Sequence, residues 1–178
     1  MRFLKCYAVL LVIIMAQTIA GCGGGGGGGT PLPTTKTATL KFSSQSTNSG
    51  DLIGGFNLTV TLPSISAIQT EIKLDSEGAA VAVPLSSIVF LSGKFQNAAI
   101  LTANTVAYNS ITRELKINYP TTNSYELGEF ITILVTVPSS YVPNPADINS
   151  NFEYEAFAPF DGISGGNPLE ATATASFN

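Results

Sequence analysis

Gly54-Gly55-Phe56-Asn57-Leu58-Thr59-Val60-Thr61-Leu62-Pro63 sets an apolar side chain at every second position, with a small polar one between. A strand turns successive side chains to opposite faces, so this spacing predicts a strand with one face in a core and the other in water. Pro63 cannot donate to a ladder and closes the run. The same period extends outward in both directions. Ala38, Leu40 and Phe42 alternate with Thr39, Lys41 and Ser43. Leu115, Ile117 and Tyr119 alternate with Glu114, Lys116 and Asn118 before Pro120, and Leu169 to Phe177 alternates up to the last residue but one.

Residues 130–137 are apolar on both parities apart from two threonines, as in a central strand covered on both sides. Shorter strand candidates lie at 79–83, 87–91, 97–102 and 152–157, and turn residues separate them at 48–51, 92–93, 109–110, 121–124 and 161–162. Only Ile65, Ile68 and Ile72 hint at helical spacing. The expectation is an all-β domain over 37–178, an antiparallel β-sandwich of about eight or nine strands of cohesin-like or jelly-roll type. A transmembrane barrel fits poorly, because aromatic girdles and regular ten-residue strands are missing.

The N-terminus has a different logic. Arg2 and Lys5 precede an apolar stretch over 7–16, the length of a secretory signal core and too short for a bilayer-spanning helix. Ile19-Ala20-Gly21-Cys22 follows it, and this tetrad resembles the lipobox of bacterial lipoproteins. The resemblance implies a signal peptide over 1–21, cleavage before Cys22, and a lipid on the Cys22 thiol as membrane partner. Gly23 in place of an acidic residue implies sorting to the outer membrane of a bacterial cell envelope. Gly23 to Gly29 and the Thr30-Pro31-Leu32-Pro33 stretch then read as a linker over 22–36, a flexible leash rather than a phosphate loop, which would need a strand before it and a helix after it.

Composition narrows the chemistry. Subtracting Arg2 and Lys5 from eight Lys and Arg leaves six basic residues against twelve acidic ones, a mature net charge of −6 that disfavours nucleic acid. There is no histidine, and of two cysteines Cys6 lies in the signal and Cys22 takes the lipid, so imidazole and thiol catalysis are both excluded. Carboxylate chemistry remains. Glu126 with Glu129, or Glu153 with Glu155, would be the pair of a glycoside hydrolase, but a spacing of two on one strand points both carboxylates the same way. The expectation is therefore no enzyme and no catalytic residue. No cofactor is expected; calcium is the cation that Asp147-Ile148-Asn149 and Asp161-Gly162-Ile163-Ser164 would suit, although neither carries a calcium-loop pattern, so no metal ligand is assigned.

The order of segments resembles the cohesin-like and carbohydrate-binding β-sandwiches of secreted bacterial proteins. The resemblance rests on the Gly54–Pro63 segment, on Gly128-Glu129-Phe130-Ile131-Thr132-Ile133-Leu134-Val135, and on Asp161-Gly162 before the last strand. It implies a binding, adhesion or scaffolding module with an envelope protein or a polysaccharide as partner. Among loop tyrosines, Tyr125 and Tyr141 are the candidates to stack on a sugar. A spacer lipoprotein without a ligand is the alternative.

Overall fold

In the computed structural model the described residues are 34–48, 50–98, 101–102, 104–159 and 166–178. They form an all-β fold of antiparallel sheets packed together. Eleven strands follow in order: β1 (Thr35–Ser46), β2 (Leu52–Thr61), β3 (Thr70–Leu74), β4 (Ala80–Pro84), β5 (Val89–Leu91), β6 (Val106–Asn109), β7 (Glu114–Glu126), β8 (Glu129–Pro138), β9 (Phe152–Phe157), β10 (Pro168–Leu169) and β11 (Ala171–Phe177). A 3-10 turn at Gly93–Phe95 and a short helix α1 (Ala146–Asn149) complete the set. One sheet runs β11-β1-β8-β5, the second β10-β9-β2-β7-β6, and β3 pairs with β4 alone.

The strand count exceeds the eight or nine expected because the stub β10 stands apart from β11 and because β3 and β6 escaped the pattern. The helical hint at Ile65, Ile68 and Ile72 is wrong. Residues 64–65 turn, Ala67 bridges to Thr136, and Ile72 lies within β3. The described part of 97–102 holds no strand. The expected turn at 121–124 lies inside β7, since Tyr125 and Glu126 resume pairing with Ile53 and Leu52. The first strand starts at Thr35, two residues before the expected domain edge. The 161–162 turn and the whole of 1–33, Cys22 included, lie outside the described residues.

Alternation does its work in the core. Ala38, Leu40 and Phe42 of β1 and Phe56, Leu58 and Val60 of β2 are all buried in one core cluster. Two register breaks adjust the aromatic end. On β8, Ser43 pairs with Glu129 and Phe42 with Ile131, so Phe130 is an extra residue opposite the Phe42–Ser43 step. A bulge of this kind re-aims side chains. Here it turns both Phe130 and Ile131 inward and leaves Glu129 outside beside Lys41, 2.9 Å away. Phe130 then meets Phe56 at 4.7 Å and Tyr154 at 5.1 Å, knitting the two sheets together edge to face and at a tilt. On β2, Gly54 alone faces residues 121–124 of β7. A Cβ at Gly54 would come within 2.3 Å of the Pro159 Cα, so the backbone leaving β9 can pass there only over glycine.

The chain enters at one end of the sandwich. Ser139 donates to the Thr34 carbonyl and Thr35 pairs with Pro138, which places the end of β8 there. Ala67 exchanges hydrogen bonds with Thr136, Leu62 N–H reaches the Arg113 carbonyl, and Thr61 N–H reaches Asn151. The turns at 63–66 and 109–113 and the loop at 139–151 therefore share that entry end. Ser46, Leu52, Glu126 and Gly128 mark the opposite one, because Leu52 pairs with Glu126 and Ser44 with the Gly128 backbone.

Candidate functional site

Register builds a polar surface from the outward half of each alternation. On the outer face of the five-stranded sheet, Asn57 lies between Glu155 of β9 and Asn118 of β7, and Thr59 between Glu153 and Lys116. Lys116 in turn stands beside Ala107 of β6. These two rows floor an open trough of about 720 Å3. The turn before β6 forms a wall, held by Asn118 N–H donating to the Thr105 carbonyl at 2.8 Å. Asn104 accepts from Ser76 N–H, which fastens the β3–β4 hairpin to that wall.

Within the trough the Asn57 amide donates to the Glu155 carboxylate at 3.1 Å, and Lys116 pairs with Glu114 of its own strand at 2.9 Å. A second hollow of about 370 Å3 continues as far as the Gly54 break, lined by Gly55, Pro120 and Phe157. Asn57 and Asn118 line both hollows. The concavity is thus elongated along β2, with two side-chain amides at its middle, carboxylates on one flank and an ammonium on the other. It offers donors and acceptors in alternation and an acidic balance.

The carboxylates named from the sequence fall apart into different settings. Glu153 and Glu155 are exposed on one strand and point the same way. Glu126 is paired with Lys94, whose hydrogen bond and charge hold its carboxyl below the ordinary range. Glu129 is pushed up by burial, but hydrogen bonds from Lys41, Ser92 and Thr132 together with the Lys41 charge bring it below that range. Glu126 and Glu129 therefore hold onto their charge through a partner lysine, and neither is poised to donate a proton.

Tyr125 and Tyr141 are not brought together. Tyr125, toward the far end of β7, stacks on Phe95 with ring centroids 4.2 Å apart. Tyr141, at the entry end, donates its hydroxyl to Asp147 and tilts against Phe177. Partial burial, then the Asp147 hydrogen bond and charge, push the Tyr141 hydroxyl up to about 12. Asp147 is thereby engaged, the Asn149 side chain and residues 161–164 lie outside the described set, and among the described residues no group of three or more acidic side chains could hold a metal ion. Sequence reasoning passed over Asn57, Thr59, Lys116 and Asn118. Each was visible as the wet half of a strand, but only the pairing of β9, β2 and β7 sets them side by side. No protein-family model, no curated protein and no solved structure matches this chain.

Proposed function

We propose that this protein is a non-catalytic binding module of a bacterial envelope, anchored in the outer membrane by a lipid on Cys22, and that the trough grips an extended hydroxyl-rich polymer such as an envelope polysaccharide. The observation that carries the reading is the continuity of the trough: one groove runs along β2 through Asn57 and Asn118, polar over its larger part and lined by Gly55, Pro120 and Phe157 toward Gly54. An elongated groove suits a chain better than a compact metabolite. Side-chain amides and carboxylates match hydroxyl groups, which both donate and accept. A protein-docking surface would favour a buried apolar centre, and this floor is polar. Hydrolysis is disfavoured because the two carboxylates in the groove stand on one flank, whereas bond cleavage needs two that flank the bond. The lipobox supports the anchor, and the tether would raise the local concentration of the module against its own envelope.

The test is retention on immobilised envelope polysaccharide of the source cell, with and without calcium. The wild-type chain should be retained, and Asn57→Ala with Asn118→Ala should elute freely at unchanged melting temperature. Equal retention of the two proteins, or none for the wild type, would sink the proposed groove. Loss of retention in chelator alone would move the ligand contact to calcium.

A further inference from the structure

Three large aliphatic side chains stand in water at loop tips, and all three tips lie at the entry end. Ile111 is 87% exposed, Val142 78% and Ile65 43%. Ile111 and Ile65 are held out by hydrogen-bonded turns, and Val142 follows one. Asn109 Oδ1 accepts from the N–H groups of Ile111 and Thr112, and Arg113 closes that loop in the left-handed region at φ 57°. The Arg113 side chain folds back on the Leu62 carbonyl, away from the tip. Ser66 caps the 63–66 turn through both its N–H and its hydroxyl on the Pro63 carbonyl. Val142 sits between Tyr141, tied to Asp147, and Pro143. Single exposed aliphatics are ordinary on a protein surface. Three at one end, two on hydrogen-bonded turns and Val142 just after the turn that Tyr141 N–H closes on Pro138, form a tripod at the end where the chain enters.

The occupant follows from where the chain comes from. Thr34 lies at that same end, and eleven residues separate it from Cys22. Covalent geometry limits eleven residues to about 40 Å, so a lipid on Cys22 holds the entry end, where the tripod stands, within about that distance of the bilayer. We infer that Ile65, Ile111 and Val142 dock this end of the sandwich into the interface of the membrane that holds the lipid. Docking by three tips fixes the orientation of the module: the strands stand off the membrane and the trough opens sideways along it. The inference rests on the lipid-anchor reading given under the proposed function. Aliphatic side chains enter the headgroup and acyl boundary, and their contribution adds to that of a lipid chain.

The chain has no tryptophan, so a single introduced indole reports its own surroundings. The mature chain carrying Ile111→Trp would be reconstituted through its anchor into vesicles of phosphatidylethanolamine and phosphatidylglycerol containing brominated acyl chains. Leu52→Trp, exposed at the opposite end, is the control. Intact mass of the N-terminal peptide reports the lipid. The expected result is a blue shift and loss of emission for Ile111→Trp, with neither for Leu52→Trp. A lipidated protein in which both indoles keep their aqueous emission overturns docking and leaves the anchor standing. A mass without lipid overturns the anchor and the docking together.

Discussion

β2 and β3 carry the same pattern and meet opposite fates. Phe56-Asn57-Leu58-Thr59-Val60 and Glu71-Ile72-Lys73-Leu74 each alternate without a fault. Phe56, Leu58 and Val60 are buried; Ile72 and Leu74 are 69% and 68% exposed. The difference lies in the partners. β2 is paired on both edges, by β9 and β7, and faces a second sheet. β3 pairs only with β4, and Glu71 and Lys73 pair with one another on its other face at 2.7 Å. Alternation predicts that a strand has two unlike faces. Whether the apolar face finds a core is decided by distant segments that local sequence does not contain.

The contrast breaks most sharply on substitution. Phe56 meets Phe130 at 4.7 Å and Phe95 and Tyr119 at 5.6 Å, so Phe56→Ala removes the hub of the aromatic end. It should cost about 3–5 kcal/mol in a denaturant titration, through lost transfer energy and the cavity left behind. Ile72→Ala on the exposed strand should stay within about 0.5 kcal/mol of wild type. A comparable loss at Ile72 would mean that the hairpin is covered in solution, and β3 would then belong with β2.

What could be read in advance follows the same line. β9 matches its expected bounds of 152–157, and β8 was visible as a nearly continuous apolar run, although its outer parity is not covered as expected: Leu134 is half-buried and Thr136 exposed. β3 was missed because Ile65, Ile68 and Ile72 imitate a helical stripe across a turn, and β6 because four residues, Val106–Asn109, are too short for a period to show. The Phe130 bulge was invisible too, since inward and outward residues look alike in a run that is apolar throughout. The trough was half legible. Its residues could be assigned to wet faces, yet Asn57 and Glu155 meet across 98 positions of sequence, a separation that no local pattern spans.

A smaller change sharpens the account of the strand beside β2. Tyr154 of β9 lies opposite Leu58 with its ring against Phe130, so its hydroxyl is carried into the sandwich. That oxygen is buried without a hydrogen bond of sound geometry. Ser44 is near enough to lower its pKa a little, but the Ser44 hydroxyl is committed to the carbonyl and N–H of Gly128, each at 3.2 Å. Burial dominates and pushes the Tyr154 hydroxyl up to about 12. A buried polar group left unpaired costs roughly 1–3 kcal/mol, so Tyr154→Phe should stabilise the fold by about 1 kcal/mol, read as a higher denaturant midpoint at unchanged slope. A lower midpoint would mean that the hydroxyl has a partner after all, such as an ordered water.

The smallest effect tests whether charge matters outside the core. Lys41 and Glu129 meet on the outer face of the other sheet, with side chains 41% and 30% exposed. Solvent at that exposure weakens the pair, so Glu129→Gln should cost less than about 1 kcal/mol at neutral pH. Its pH dependence has a definite sign. The Glu129 carboxyl is held below its ordinary value of 4.5 in the folded chain. The stabilisation is therefore complete above the unfolded-state pKa, and it is lost as pH falls through the folded-state value. Wild type and Glu129→Gln should differ at pH 7, converge in acid, and converge again at high salt, where exposed charges are screened. The loss from Phe56→Ala should survive both treatments. A Glu129→Gln deficit that persisted through acid and salt would place the carboxylate among the packed side chains, and the bulge at Phe130 would then matter for more than turning one extra ring inward.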